Sequence, residues 1–134
     1  SVFVPLAKWS MLLAGNYRCV QESGIRSIND AVHSDLEATR AVYQWVCDLC
    51  VALGAAPQDM VPFDKYANAA LSLASPSSAA RALQNGAPDI ERVDRLVQSI
   101  GRQKGMQSAE VDRTVALVDR WLEDNRRKSR STQR

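Results

Sequence analysis

The chain has 134 residues, of which 46% are hydrophobic and 24% charged, a composition typical of one ordinary globular domain. No apolar run approaches the ~20 residues that a membrane span needs. The apolar segment from Val2 to Leu6 is also too short for the hydrophobic core of a signal peptide. The composition therefore predicts a cytoplasmic protein that does not act at a membrane.

The net charge of +2 conceals an uneven distribution. The last nine residues carry five positive charges, so residues 1–125 together carry −3. These basic residues are Arg126, Arg127, Lys128, Arg130 and Arg134. A polar, basic segment without apolar residues is expected to be disordered. We predict a domain at residues 1–125 and a disordered basic tail at 126–134, and the acidic body argues against nucleic acid as a partner.

The cysteines are Cys19, Cys47 and Cys50, an odd number without the spacing of a disulfide framework. Cys47 and Cys50 have the spacing of a redox motif. They fall deep inside a predicted helix, however, and not at a helix N-terminus, where thiolates are stabilised. His33 is the one histidine, so a zinc site lacks ligands. We predict that both thiols are reduced and buried, and we expect no metal site.

Apolar residues recur at helical spacing along almost the whole chain. The segment from about Leu6 to Val20 is apolar on most sides, which is typical of a helix buried in the centre of a domain. Ser34 and Glu37 form a capping-box pattern at the start of the next strong helix, and Gly54 supplies its left-handed stop. The stripe predicted to face the core in that helix is Ala38, Val42, Trp45, Val46, Leu49 and Leu53.

The second half of the chain shows the same periodicity. A helix is predicted at residues 62–73, another begins near Pro88 and ends at Gly105, and Ser108 caps a last one. No window shows the alternation of a strand between hairpin turns. The sequence therefore predicts an all-α fold consisting of a single helical domain.

The segment from Ser75 to Asp94 has the clearest pattern for a ligand site. Two adjacent hydroxyls, Ser77 and Ser78, precede a short helix, and Asp89 follows a glycine-containing turn at the mouth of an amphipathic helix. Side chains at helix ends are exposed and can bind a small ligand without being needed in the core.

This segment resembles the C-terminal domain of the ketopantoate reductase (2-dehydropantoate 2-reductase) family. That domain has a serine, a glycine-containing turn, an acid that opens a long helix and a glycine where the helix ends. The matching positions are Ser77, Gly86, Asp89 and Gly105. The resemblance extends over roughly residues 5–122, and it implies the all-α fold of a 6-phosphogluconate-dehydrogenase-like C-terminal domain.

The resemblance also implies roles for these residues. The family's serine binds the substrate carboxylate, which points to Ser77 by register and to Ser78 if the turn differs by one residue. The family's glutamate assists carbonyl reduction, which makes Asp89 a candidate catalytic residue with a side chain one methylene shorter. Both kinds of residue are also common at helix starts for structural reasons alone.

In the family, the first helix has a Trp-x-Lys pattern that is followed by two asparagines one helical turn apart. In the family this lysine donates a proton to the ketone oxygen. Alignment on Trp9 puts Met11 at the lysine position and Gly15 at an asparagine position. Alignment on Asn16 retains one substrate-binding asparagine and leaves Lys8, the candidate catalytic lysine, one position out of register.

The function implied is that of the C-terminal substrate-binding domain of an NADPH-dependent oxidoreductase acting on a small 2-oxo acid, as in pantothenate biosynthesis. NADP would be bound mainly by an N-terminal Rossmann domain of the same parent protein, because this chain has no Gly-x-Gly-x-x-Gly motif. The chain alone should then be inactive, and a homodimer is compatible with this interpretation. Ser77 and Asp89 should share an open cleft with Asn16 or Lys8.

The alternative is a stand-alone helical interaction module without catalysis. In that case the small residues of the segment Ala67–Ala82 would pack against a partner helix.

Overall fold

The computed structural model describes residues 5–132, and within that range it contains helices and no strands. The only β-type pairing there is a single bridge between Val20 and Ile25. The all-α prediction is confirmed. The α-helices are α1 (Leu6–Met11), α2 (Ile28–His33), α3 (Leu36–Ala52), α4 (Phe63–Ala70), α5 (Ser78–Gln84), α6 (Val93–Gln103) and α7 (Ala109–Thr132).

The N-terminal helix lies in the centre of the core, as predicted. Only its first part is α-helical, since α1 continues into a π-helical turn at Leu12–Asn16 and a 3₁₀ turn at Tyr17–Cys19. This continuous segment contacts α2, α3, α5, α6 and α7. Its buried residues include Trp9, Leu13, Ala14, Tyr17 and Cys19.

The cap of α3 differs from the capping box predicted at Ser34. Asp35 is the N-cap, and its carboxylate accepts a hydrogen bond from the Ala38 amide at 3.1 Å. Ser34 has helical backbone angles because it ends α2, and an N-cap residue needs a non-helical backbone. Val42, Val46 and Leu49 form the buried stripe, while Trp45 is half-buried, and Gly54 ends the helix at φ 103°.

Helix α6 begins at Val93, five residues after the predicted start at Pro88. The Tyr17 hydroxyl donates to the Glu91 carbonyl oxygen and accepts from the Val93 amide, which holds Glu91 outside the helix and Val93 at its start. The predicted ends are confirmed. Gly105 follows α6 at φ 71°, and the Ser108 hydroxyl accepts from the Val111 amide at the start of α7.

Helix α7 continues to Thr132, whereas the sequence predicts a disordered tail from residue 126. The turn before that position is anchored, because the buried Asn125 amide donates to the carbonyl oxygens of Leu83 and Ala87. Arg126 then donates to the Pro88 carbonyl oxygen. A helix extends more easily from a packed turn than it starts in isolation. The contacts that anchor this turn cannot be predicted from the amino-acid composition of the tail.

An ion-pair network that the sequence does not reveal connects α6 to α7. Asp94 is fully buried and accepts two hydrogen bonds from Arg92, both at 2.9 Å. The same guanidinium donates to the Asp119 carboxylate at 2.6 Å and to the Val115 carbonyl oxygen at 3.4 Å. Buried charges persist only when they are paired in this way.

Cys19, Cys47 and Cys50 are free and buried, so the prediction that Cys47 and Cys50 are reduced and buried is confirmed. Burial raises the pKa of each thiol, that of Cys50 to about 11.

Within residues 5–132, no three His, Cys, Asp or Glu side chains are grouped so that they could hold a metal ion. No helix in the same range has the length and apolar composition needed to cross a lipid bilayer.

Arg92→Ala should lower the free energy of unfolding by about 3–5 kcal/mol, because it leaves the Asp94 carboxylate buried without a partner. The measurement is urea-induced unfolding. Arg95→Ala is the matched control, since Arg95 is exposed and forms no ion pair with a described residue, and it should change stability by less than about 0.5 kcal/mol. Equal effects of the two substitutions would refute the role assigned to the buried pair.

The raised pKa of Cys50 predicts a loss of stability at alkaline pH. The fold favours the neutral thiol, so this contribution is complete below the ordinary thiol pKa of 9.0 and is lost as the pH rises through about 11. Unfolding measured across that window should show a smaller decline for Cys50→Ala than for the wild type. Parallel pH profiles would contradict the expectation, as would rapid thiol labelling of the native protein.

Candidate functional site

An open cavity of about 580 Å³ lies between the N-terminal helix and a wall formed by α5 and residues 90–93. Lys8, Leu12 and Asn16 are spaced by four residues, so they project from one face of the N-terminal helix. The opposite wall contains a hydroxyl and a carboxylate. The residues that line this cavity are Pro5, Lys8, Leu12, Asn16, Tyr17, Ser78, Ala79, Ala82, Ile90, Glu91 and Val93.

Besides Tyr17, four of the lining residues have polar or charged side chains, namely Lys8, Asn16, Ser78 and Glu91. Lys8 and Glu91 are exposed and carry opposite charges, and neither forms an ion pair with a described residue. Most of the remaining lining is aliphatic. An apolar cavity with a few converging polar groups is the usual form of a small-molecule site.

The backbone that carries Asn16 is shaped by a close approach between Gly15 and Tyr66. A Cβ atom at position 15 would lie 1.9 Å from the Tyr66 hydroxyl oxygen, so only glycine leaves room for this tyrosine. The Tyr66 hydroxyl donates to the Met11 carbonyl oxygen at 3.3 Å, and the Tyr17 amide bonds to the Leu12 carbonyl oxygen five residues earlier. A π-helical turn of this kind is frequent at functional sites.

Side chains also bind the carbonyl oxygens that follow in this turn. Arg18 donates to the Ala14 carbonyl oxygen at 3.1 Å, and the Cys19 thiol donates to that of Gly15 at 3.5 Å. Ser77 donates to that of Asn16 at 2.7 Å. Buried carbonyl groups need such partners where regular helix bonding ends. The backbone of Asn16 is therefore held in place from more than one side.

The two candidate serines have different environments. Ser77 is buried; its hydroxyl caps α5 by accepting from the Ala80 amide at 3.2 Å, and it donates to Asn16. Ser78 is exposed and lines the cavity. The expected proximity of Ser77 to Asn16 is therefore present, but of the two serines it is Ser78 that lines the cavity.

Asp89 does not line the cavity. Its exposed carboxylate accepts a hydrogen bond from Arg126 at 3.1 Å. The later start of α6 is the reason, because residues 89–92 form an irregular segment in which Glu91 reaches the cavity instead. Glu91 was not among the site residues predicted from the sequence, and the available signal was a second acid two residues after Asp89.

Tyr17 connects the two walls of the cavity. Burial raises its pKa to about 12, so the hydroxyl remains a neutral donor and acceptor at physiological pH. Its bonds to the Glu91 carbonyl oxygen at 2.5 Å and the Val93 amide at 3.0 Å hold the irregular segment against the N-terminal helix. The position of Glu91 thus depends on a residue 74 positions earlier in the chain.

Comparisons with models of protein families, with curated proteins and with solved structures found no match for this chain. The resemblance to the reductase family therefore remains an expectation from the sequence alone.

Gly15→Ala should destabilise the protein by about 1–3 kcal/mol through overpacking against Tyr66. Removing the hydroxyl with Tyr66→Phe should reduce that cost, because the nearest remaining ring atom lies 3.2 Å from the added methyl carbon. Urea unfolding of both single variants and the double variant measures this coupling.

Gly24→Ala is the control, since a Cβ atom there meets nothing within 4 Å. If Gly15→Ala costs as much with Phe at position 66 as with Tyr, the close approach does not explain this glycine.

Proposed function

We propose that this domain is the substrate-binding domain of a ketopantoate-reductase-like oxidoreductase that uses NADPH to reduce a small 2-oxo acid. The supporting observation is that Lys8, Asn16 and Ser78 line one cavity although they are up to 70 positions apart in the chain. Each has the chemistry that a 2-oxo acid requires, namely a proton donor or a neutral hydrogen-bond donor.

In this proposal Lys8 supplies the proton. Lys8 lines the cavity, and its ammonium group would hold a proton at Nζ for the ketone oxygen of the substrate. General acid catalysis of this type contributes ~10²–10⁴ in rate. The Asn16 amide and the Ser78 hydroxyl would donate to the substrate carboxylate, and the aliphatic lining would exclude water from the reacting carbon.

NADPH supplies the hydride when it is bound, and residues 5–132 do not contain the parts of a dinucleotide site. Residues 5–132 contain no strand followed by a glycine-rich turn and a helix, the unit that binds dinucleotide phosphates. The proposal therefore assigns the cofactor to a Rossmann domain of the parent protein, and the isolated domain would bind substrate without turnover.

Two departures from the family pattern suggest that the substrate differs from ketopantoate. Gly15 cannot be the counterpart of a substrate-binding asparagine, because the Tyr66 hydroxyl occupies the space beside it. Met11 is half-buried and packs on the core. One amide, that of Asn16, lines the cavity among the described residues, so the ligand would make fewer amide contacts here.

The alternative, an interaction module, has one specific observation in its favour. Leu71 and Leu73 are 56% and 41% exposed after the end of α4. The small residues of Ala67–Ala82 give it less support, because Ala67, Ala70 and Ala80 are buried within the chain itself.

Lys8→Ala should lower turnover of the full-length parent by ~10²-fold or more if Lys8 is the general acid. The assay follows NADPH oxidation with a panel of 2-oxo acids. Lys65→Ala is the matched control, since Lys65 is an exposed lysine of α4 outside the cavity, and it should leave turnover unchanged.

Binding to the isolated domain separates the two functions. Titration with 2-oxopentanoate, followed by amide chemical shifts, should perturb residues around Asn16 and Ser78. Undetectable binding, together with no activity in the parent on any 2-oxo acid, would reject the reductase and favour the interaction module.

A further inference from the structure

We infer that the cavity selects acids that also carry a cationic group, such as an ammonium or guanidinium, at the end remote from the carboxylate. The inference rests on the proposed function, because it takes the carboxylate-binding role of Asn16 and Ser78 from there. It concerns Glu91, to which that function gives no role.

The carboxylate of Glu91 has no cationic partner among the described residues. Its nearest neighbours in sequence offer none, since Arg92 is committed to Asp94 and Asp119. Arg126, the arginine that reaches the preceding turn, binds Asp89 and the Pro88 carbonyl oxygen. Glu91 is therefore left as the acidic group of the cavity that a bound cation would neutralise.

Lys8, the cation of the same cavity, does not neutralise Glu91 either. The two residues lie on different walls, Lys8 on the N-terminal helix and Glu91 beyond α5, and they form no ion pair. Leu12, Ala82 and Ile90 are among the apolar residues that line the same space. A cavity with Asn16 and Ser78 for a carboxylate, an acid at Glu91 that is unpaired among the described residues and an aliphatic lining fits a ligand whose carboxylate and cationic group are joined by a short aliphatic chain.

Hydrogen bonds of Tyr17 hold the backbone of Glu91 in position. The Tyr17 hydroxyl binds the Glu91 carbonyl oxygen and the Val93 amide. Glu91 therefore needs to order only its own side chain when a ligand binds, which lowers the entropic cost of the contact.

The test compares three probes of similar length, which are pentanoate, 5-aminopentanoate and pentylamine. Titration calorimetry with the wild-type chain should show that 5-aminopentanoate binds roughly fivefold more tightly than pentanoate, the effect of one exposed charge pair. Pentylamine should bind more weakly than 5-aminopentanoate. Added salt should reduce the preference, because exposed charge pairs are screened.

Glu91→Gln should abolish the preference for 5-aminopentanoate and leave pentanoate affinity unchanged or slightly increased. Glu123→Gln is the matched control, since Glu123 is an exposed acid of α7 outside the cavity, and it should retain the preference.

The outcomes separate this inference from the proposed function. Equal binding of pentanoate and 5-aminopentanoate by the wild type would overturn the inference and leave the acid-binding site intact. A preference that survives Glu91→Gln would also overturn it. Failure of all three probes to bind would overturn the inference, and titration with 2-oxopentanoate then decides whether the proposed acid-binding site fails as well.

Discussion

The contact between the Tyr66 hydroxyl and Gly15 constrains the centre of this fold. Tyr66 can enter the core only because position 15 has no side chain, and its hydroxyl then binds the Met11 carbonyl oxygen. The regular α-helix is converted there into a π-helical turn. The N-terminal helix, which contacts most other helices, takes its course from this turn, and so does the cavity wall that contains Asn16.

The electrostatic organisation separates structural charges from those available to a ligand. Asp94 is buried and is matched by Arg92, which also reaches α7, so these charges serve to join helices. Lys8 and Glu91 are exposed at the cavity and form no ion pair with described residues. A charge that is not needed for packing can interact with a ligand at little cost to stability.

The sequence predicted those features that depend on local periodicity. The all-α class, the buried N-terminal helix and the buried cysteines follow from apolar spacing. The start of α6 and the position of Glu91 could not be predicted, because a tyrosine hydroxyl 76 residues before Val93 determines them. The helical conformation of residues 126–132 could not be predicted for the same reason, because it depends on the hydrogen bond from Asn125 to the Leu83 carbonyl oxygen at the end of α5. Long-range hydrogen bonds of this kind do not affect the spacing of apolar residues, so they cannot be predicted from it.

Tyr17, at one side of the cavity, also has a consequence for how the cavity forms during folding. Its bonds to Glu91 and Val93 span 74 and 76 residues, and Trp121 donates to the Gln21 carbonyl oxygen across 100 residues. Such contacts form only after large loops have closed, so they raise the contact order above that of a simple helical bundle. The two walls would therefore meet late in folding. A ligand held between them should bind only the fully folded chain and stabilise it as a whole.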